Sequence, residues 1–212
     1  NYMLFLLLAI SLANVFSVEY YRKTDAIILC SKYGKKQLYF SKILAGITFS
    51  VVSAVLLFIA TLLSSVFVYG TNGFHAALQL IFPFSSWNIS VGGSILILFF
   101  SLIAISVLYG CVIMLLSAIL KSNVAVMAVP VGIMILTMMV DVPYQFRLAS
   151  QVYDLLPTNL LNTTELWDDR LICILGRYFT NFQIAPFLYL VFAVLLILVG
   201  MVIYQRHQVQ AR

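Results

Sequence analysis

Charge is what this sequence has least of. Only 9% of its 212 residues are Asp, Glu, Lys or Arg, while 63% are hydrophobic, and the mean hydropathy is +1.07. A soluble domain of this length cannot hide so much apolar surface. Acid is scarcer than base, with seven Asp and Glu against twelve Lys and Arg. None of the acids falls in the middle of an apolar run. A proton-coupled carrier would need a carboxylate or histidine there. Histidine is limited to His75 and His207, which lie in separate polar segments and cannot share a metal ion. Three cysteines, Cys30, Cys111 and Cys173, form no CxxC and read as free thiols. HExxH, GxSxG and any Ser/His/Asp set that could meet inside the apolar runs are missing, so a membrane enzyme would lack catalytic groups. A Walker A motif is missing too, so energy for uphill transport would have to come from a partner. Nor is there alternation of polar and apolar residues over about ten positions, the mark of a membrane barrel strand.

What is abundant is the long apolar run. Five are read as membrane spans, at 2–18, 43–69, 91–120, 124–140 and 182–204. A spanning helix takes about 20 residues, so the second and third are expected to tilt or protrude. The fourth contains Pro130 and Gly132, which predict a kink because proline removes a backbone donor. It reads as a packing kink, with a hinge lining a pathway as the alternative. Ser50, Ser53, Ser64, Ser101 and Ser106 read as helix-packing residues. The expected fold is therefore all-α: a polytopic helical bundle in a single transmembrane domain over residues 1–212. The chain opens inside an apolar run with no basic segment before it and no small-residue cleavage site after it. It does not read as a signal peptide, and further residues are expected upstream of Asn1.

Half of the lysines and arginines sit in the 24 residues at 19–42, between the first two runs: Arg22, Lys23, Lys32, Lys35, Lys36 and Lys42. Charge on this scale belongs at a membrane surface. With Lys121, Arg206 and Arg212 this side collects nine basic residues, against Arg147, Arg170 and Arg177 on the other. The positive-inside rule then puts the insert and the carboxyl end in the cytoplasm of a multi-pass cell-membrane protein. A net charge of +5 does not imply a nucleic-acid partner, because the bases cluster where lipid headgroups would be. Within the insert, Ala26 to Cys30 form a short apolar turn with the look of a partner contact. A helix that only lay on lipid would be longer, with a wider apolar face. Lys32, Lys35 and Lys36 read either as headgroup contacts or as partner contacts.

The outer segments are expected to be folded. Residues 74–82 carry apolar residues at helical spacing and end at Pro83, with Trp87 as an interfacial anchor. Residues 141–181 are too long for a structureless loop and read as short outer-leaflet helices, with apolar turns at 146–156 and 171–179. Asn88-Ile89-Ser90 and Asn162-Thr163-Thr164 match the short glycosylation pattern, which is frequent by chance.

The segment Glu19…Ile28-Leu29-Cys30-Ser31-Lys32-Tyr33-Gly34-Lys35-Lys36…Ser41-Lys42-Ile43 resembles the ABC-2 type permeases of Gram-positive bacteria. These are membrane subunits of ATP-binding-cassette exporters. Members carry a glutamate after the second helix, then a turn reading leucine, serine, lysine or threonine, tyrosine, glycine, arginine or lysine. A lysine then opens the third helix. The tail Gln205-Arg206-His207-Gln208-Val209 is similar to the endings of that group. The resemblance runs from the second helix of the family to its sixth, so a first helix would precede Asn1.

This resemblance implies a permease subunit of an ATP-driven exporter, not itself an enzyme. The apolar turn would be a coupling helix, with Glu19, Thr24, Asp25, Ala26, Ile27, Ile28 and Leu29 contacting an ABC ATPase subunit. ATP and magnesium would bind that partner, with no cofactor on this chain. A second permease copy or a homologue would complete a path at the dimer interface, lined by the second, third and fifth runs, for a hydrophobic or amphipathic peptide, antibiotic or lipid. The alternative is a non-transporting immunity or sensor protein that binds a peptide through its outer helices.

Overall fold

The computed structural model describes residues 2–21, 36–83, 85, 87–120, 122–140, 142–143, 145–160, 166–167, 171–174 and 177–206. Its helices are α1 (Tyr2–Leu12), α2 (Asn14–Tyr21), α3 (Lys36–Tyr69), α4 (Val91–Ile119), α5 (Asn123–Met139), α6 (Arg147–Asp154), α7 (Pro157–Leu160) and α8 (Asn181–Arg206). Among the described residues, four stretches are long and apolar enough to cross a membrane: Tyr2–Glu19, Lys36–Tyr69, Val91–Ile119 and Gln183–Tyr204. The protein is thus a helical membrane protein. The fifth expected span is α5, whose 17 residues rise about 26 Å, short of the roughly 30 Å hydrocarbon core.

The chain divides into two compact units. The first comprises Asn1–Val52, Ser106–Met134 and Leu190–Arg212. Its core is built from Phe5, Leu8, Leu12, Phe16, Tyr39, Ile113, Met114 and Val126, all buried. Phe5 packs on Tyr109 with ring centroids 4.3 Å apart. The expected single span at 2–18 is interrupted at Ala13, where α1 stops and α2 starts. The cause is a side chain from α4. The Ser117 hydroxyl accepts from the backbone N–H groups of Phe16 (3.1 Å) and Ser17 (3.0 Å) and donates to the Ala13 carbonyl (2.7 Å). A group inserted into the helical ladder in this way breaks its regularity.

The second unit comprises Ser53–Ile105 and Ile135–Tyr189. Phe58 packs on Phe99 at 5.0 Å. Residues 74–82, expected as helical, form two separate 3₁₀ turns, Asn72–His75 and Leu78–Leu80. Between them Ala77 bridges Ser90, so the segment bonds sideways: Leu78 N–H to Ile89 C=O at 2.9 Å and Val91 N–H to Ala76 C=O at 2.9 Å. Cross-bonding of this kind leaves no continuous ladder for an α-helix.

Short helices are present at 141–181 as α6 and α7, but the apolar turn expected at 171–179 is a correction. It is a two-stranded antiparallel ribbon, β1 (Ile172–Ile174) with β2 (Arg177–Phe179), paired Ile172 to Phe179, Cys173 to Tyr178 and Ile174 to Arg177. β-Branched and aromatic residues favour the pleated surface. In nine residues, apolar spacing cannot separate a helix from a strand. Around α6 and α7 the chain is tied to its unit by polar contacts. The Tyr153 hydroxyl reaches the Thr137 and Val140 carbonyls at the end of α5, and the Tyr189 hydroxyl donates to the Leu155 carbonyl at 2.6 Å. The Gln183 side chain accepts from the Thr180 N–H at 3.3 Å, closing the first turn of α8 as in a capping box.

Candidate functional site: the root of the basic insert

Of the residues expected to contact a partner, Thr24, Asp25, Ala26, Ile27, Ile28, Leu29, Lys32 and Lys35 lie outside the described residues. The two stems that carry them are described. Glu19 lies near the end of α2, and Lys36 is the exposed first residue of α3.

Across these stems Glu19 and Lys42 form an ion pair, although 23 residues separate them in sequence. Their side chains are only 13% and 21% exposed, so the pair is largely shielded from water. An ammonium carries three donors and tolerates burial poorly unless they are engaged. The Lys42 ammonium also donates to the Val15 carbonyl at 2.7 Å and sits 4.8 Å from the centre of the Phe16 ring. That ring face is negative and attracts the cation. The other Glu19 oxygen accepts a long 3.5 Å hydrogen bond from the Tyr204 hydroxyl of α8.

Three aromatic rings surround the pair. Phe16 lies 5.7 Å from Tyr39 and 5.5 Å from Tyr204, and the two tyrosines are 5.6 Å apart. The Tyr39 hydroxyl donates to the Ile197 carbonyl of α8 at 2.8 Å. This approach requires Gly200, where a Cβ would come within 2.5 Å of the Tyr39 oxygen. The stems of the insert are thereby bound to each other and to the carboxyl-terminal helix. Chemically, the site can hold the insert in a fixed attitude. Among the described residues no group of three His, Cys, Asp or Glu could hold a metal ion.

Pro130 is buried within α5, which continues through it. At Gly132 a Cβ would meet no atom within 4 Å, so close packing does not explain that glycine. The sequence resemblance singled out Glu19 and Lys42, while Phe16, Tyr39, Ser117 and Tyr204 were passed over. The signal for the first two was available: a charge at the edge of an apolar run needs a partner. Nothing in an apolar run distinguishes Ser117 from the other span serines.

Comparison of the chain with protein-family models, curated proteins and solved structures gave no match.

Proposed function

We propose that this chain is a permease subunit of an ATP-driven exporter, similar to the ABC-2 type. The observation that carries the reading is the Glu19–Lys42 pair. These are the two charged positions that the sequence resemblance singles out on either side of the insert, and they meet at its root. A coupling element must transmit force, and a tethered root does this where two free stems would not. In this reading Glu19 holds the root, and Ala26, Ile27, Ile28 and Leu29 dock on the ATPase. The basic residues of the insert and the carboxyl end face the cytoplasm. A second permease copy or a homologue completes the path for a hydrophobic or amphipathic cargo.

The outer segment at 141–181 acts as the lid of that path. Its bonds to α5, through Tyr153, and to α8, through the Leu155 carbonyl and Tyr189, support a folded element at this place.

The test is affinity purification of the tagged chain from its own cells, followed by assay of the eluate for ATP hydrolysis. An associated nucleotide-hydrolysing subunit is the expected result. A chain that purifies from mild detergent without one counts against transport and turns attention to peptide binding by the outer segment.

A further inference from the structure

We infer that Ser117 is a positioning residue, the pin of a joint that makes residues 14–21 a lever between the insert and α4. The inference rests on the coupling reading for what moves the lever, but not for the joint itself. The lever has two defined ends. At the far end, Glu19 is tied to Lys42, and Lys42 also grips the Val15 carbonyl. At the near end, the chain leaves helical order at Ala13.

A break inside an apolar span normally strands backbone groups, which lipid cannot satisfy. Here one hydroxyl serves the break: Ser117 takes the Phe16 and Ser17 N–H groups and gives its own proton to Ala13. The Ser17 hydroxyl adds a second donation to the same Ala13 carbonyl at 2.7 Å. Ser17 and Ser117 are both buried, as is Ala13 itself. A single oxygen contacting three backbone groups is a compact pivot. It lets the short helix change its angle while the polar groups stay paired, something a continuous ladder does not permit. Because Ser117 belongs to α4, displacement of Glu19 is delivered to that helix at this point.

The test uses the full chain in lipid nanodiscs, followed by hydrogen exchange, and the complex with its ATPase, followed as cargo moved per ATP. Ser117→Ala should speed exchange of the Phe16 and Ser17 amides roughly tenfold, the effect of losing about one buried hydrogen bond. It should leave the amides of Leu4 to Leu8 as they were. Cargo per ATP should fall while the hydrolysis rate holds. Ser117→Thr, which keeps a hydroxyl, should restore both quantities. Unchanged Phe16 and Ser17 exchange in the alanine variant overturns the joint. Faster exchange with cargo per ATP unchanged overturns it as a lever, leaving Ser117 with a packing role only. If the wild-type chain assembles with no ATPase, the coupling reading fails separately, and the exchange measurement decides the joint by itself.

Discussion

At the scale of single residues, the root of the insert holds a mostly buried charge pair, and such pairs behave asymmetrically. Removing one partner costs more than removing both, because the survivor is left without compensation. Lys42→Met should lower stability by about 2 kcal/mol, since it removes the cation that faces the Glu19 carboxylate among aromatic rings. Adding Glu19→Gln should recover part of that loss, with a coupling of about 1 kcal/mol or more in a double-mutant cycle. Thermal unfolding in one detergent measures all four proteins, and simple additivity would show that the pair does not act as a unit. Gly200 offers a second cycle. Gly200→Ala puts a methyl group against the Tyr39 hydroxyl and should cost about 1–2 kcal/mol. In a Tyr39→Phe background the obstructing oxygen is gone, so the same substitution should cost clearly less, with the Leu115 methyl 3.3 Å from the new Cβ left to give way.

At the scale of elements, the insert makes the sharpest prediction. Ile27→Asp with Ile28→Asp should separate ATP hydrolysis from transport while the protein still reaches the membrane. Normal copurification and normal coupled activity in that double variant would falsify the docking role. How far such elements could be read in advance followed the strength of their physical signal. Helices α4 and α8 were legible to within two residues at both ends, and α3 at its carboxyl end, because long apolar runs in a membrane have one outcome. In α3 the helix begins at Lys36, seven residues before the apolar run, since its first two turns carry the polar residues of the root. The break at Ala13 was not legible, because it depends on a hydroxyl 104 positions away. The ribbon at 172–179 was not legible either. Its few apolar residues fit a helix or a strand equally well, and cross-strand pairing decided between them. Within the site, Glu19 and Lys42 could be named from sequence, while the ring that completes their surroundings, Tyr204, comes from α8, 185 positions after Glu19.

At the scale of the whole molecule, the distribution of basic residues predicts a sidedness. In a cysteine-free background, Lys35→Cys should be labelled only from the cytoplasm and Asp168→Cys only from outside. Labelling of both by an impermeant reagent on intact cells would rule the assignment out. The outer segment should be ordered but less stable than the spans, since a lid is drawn from the low-stability end of a fold. Hydrogen exchange at 147–160 should be slower than in a free peptide and faster than in α4. Random-coil rates there would remove the lid. The contacts at the insert root also set an order of events during synthesis. Ser117 lies 104 residues after Ala13, Ile197 lies 158 after Tyr39, and Tyr204 lies 185 after Glu19. Helices α1 to α3 therefore leave the ribosome long before some of the groups that complete them exist. The Glu19–Lys42 pair can form as soon as α3 exists, but the Ile197 carbonyl and the Tyr204 ring and hydroxyl arrive only with α8, so a chain cut before α8 shows the cell a paired root with one wall missing.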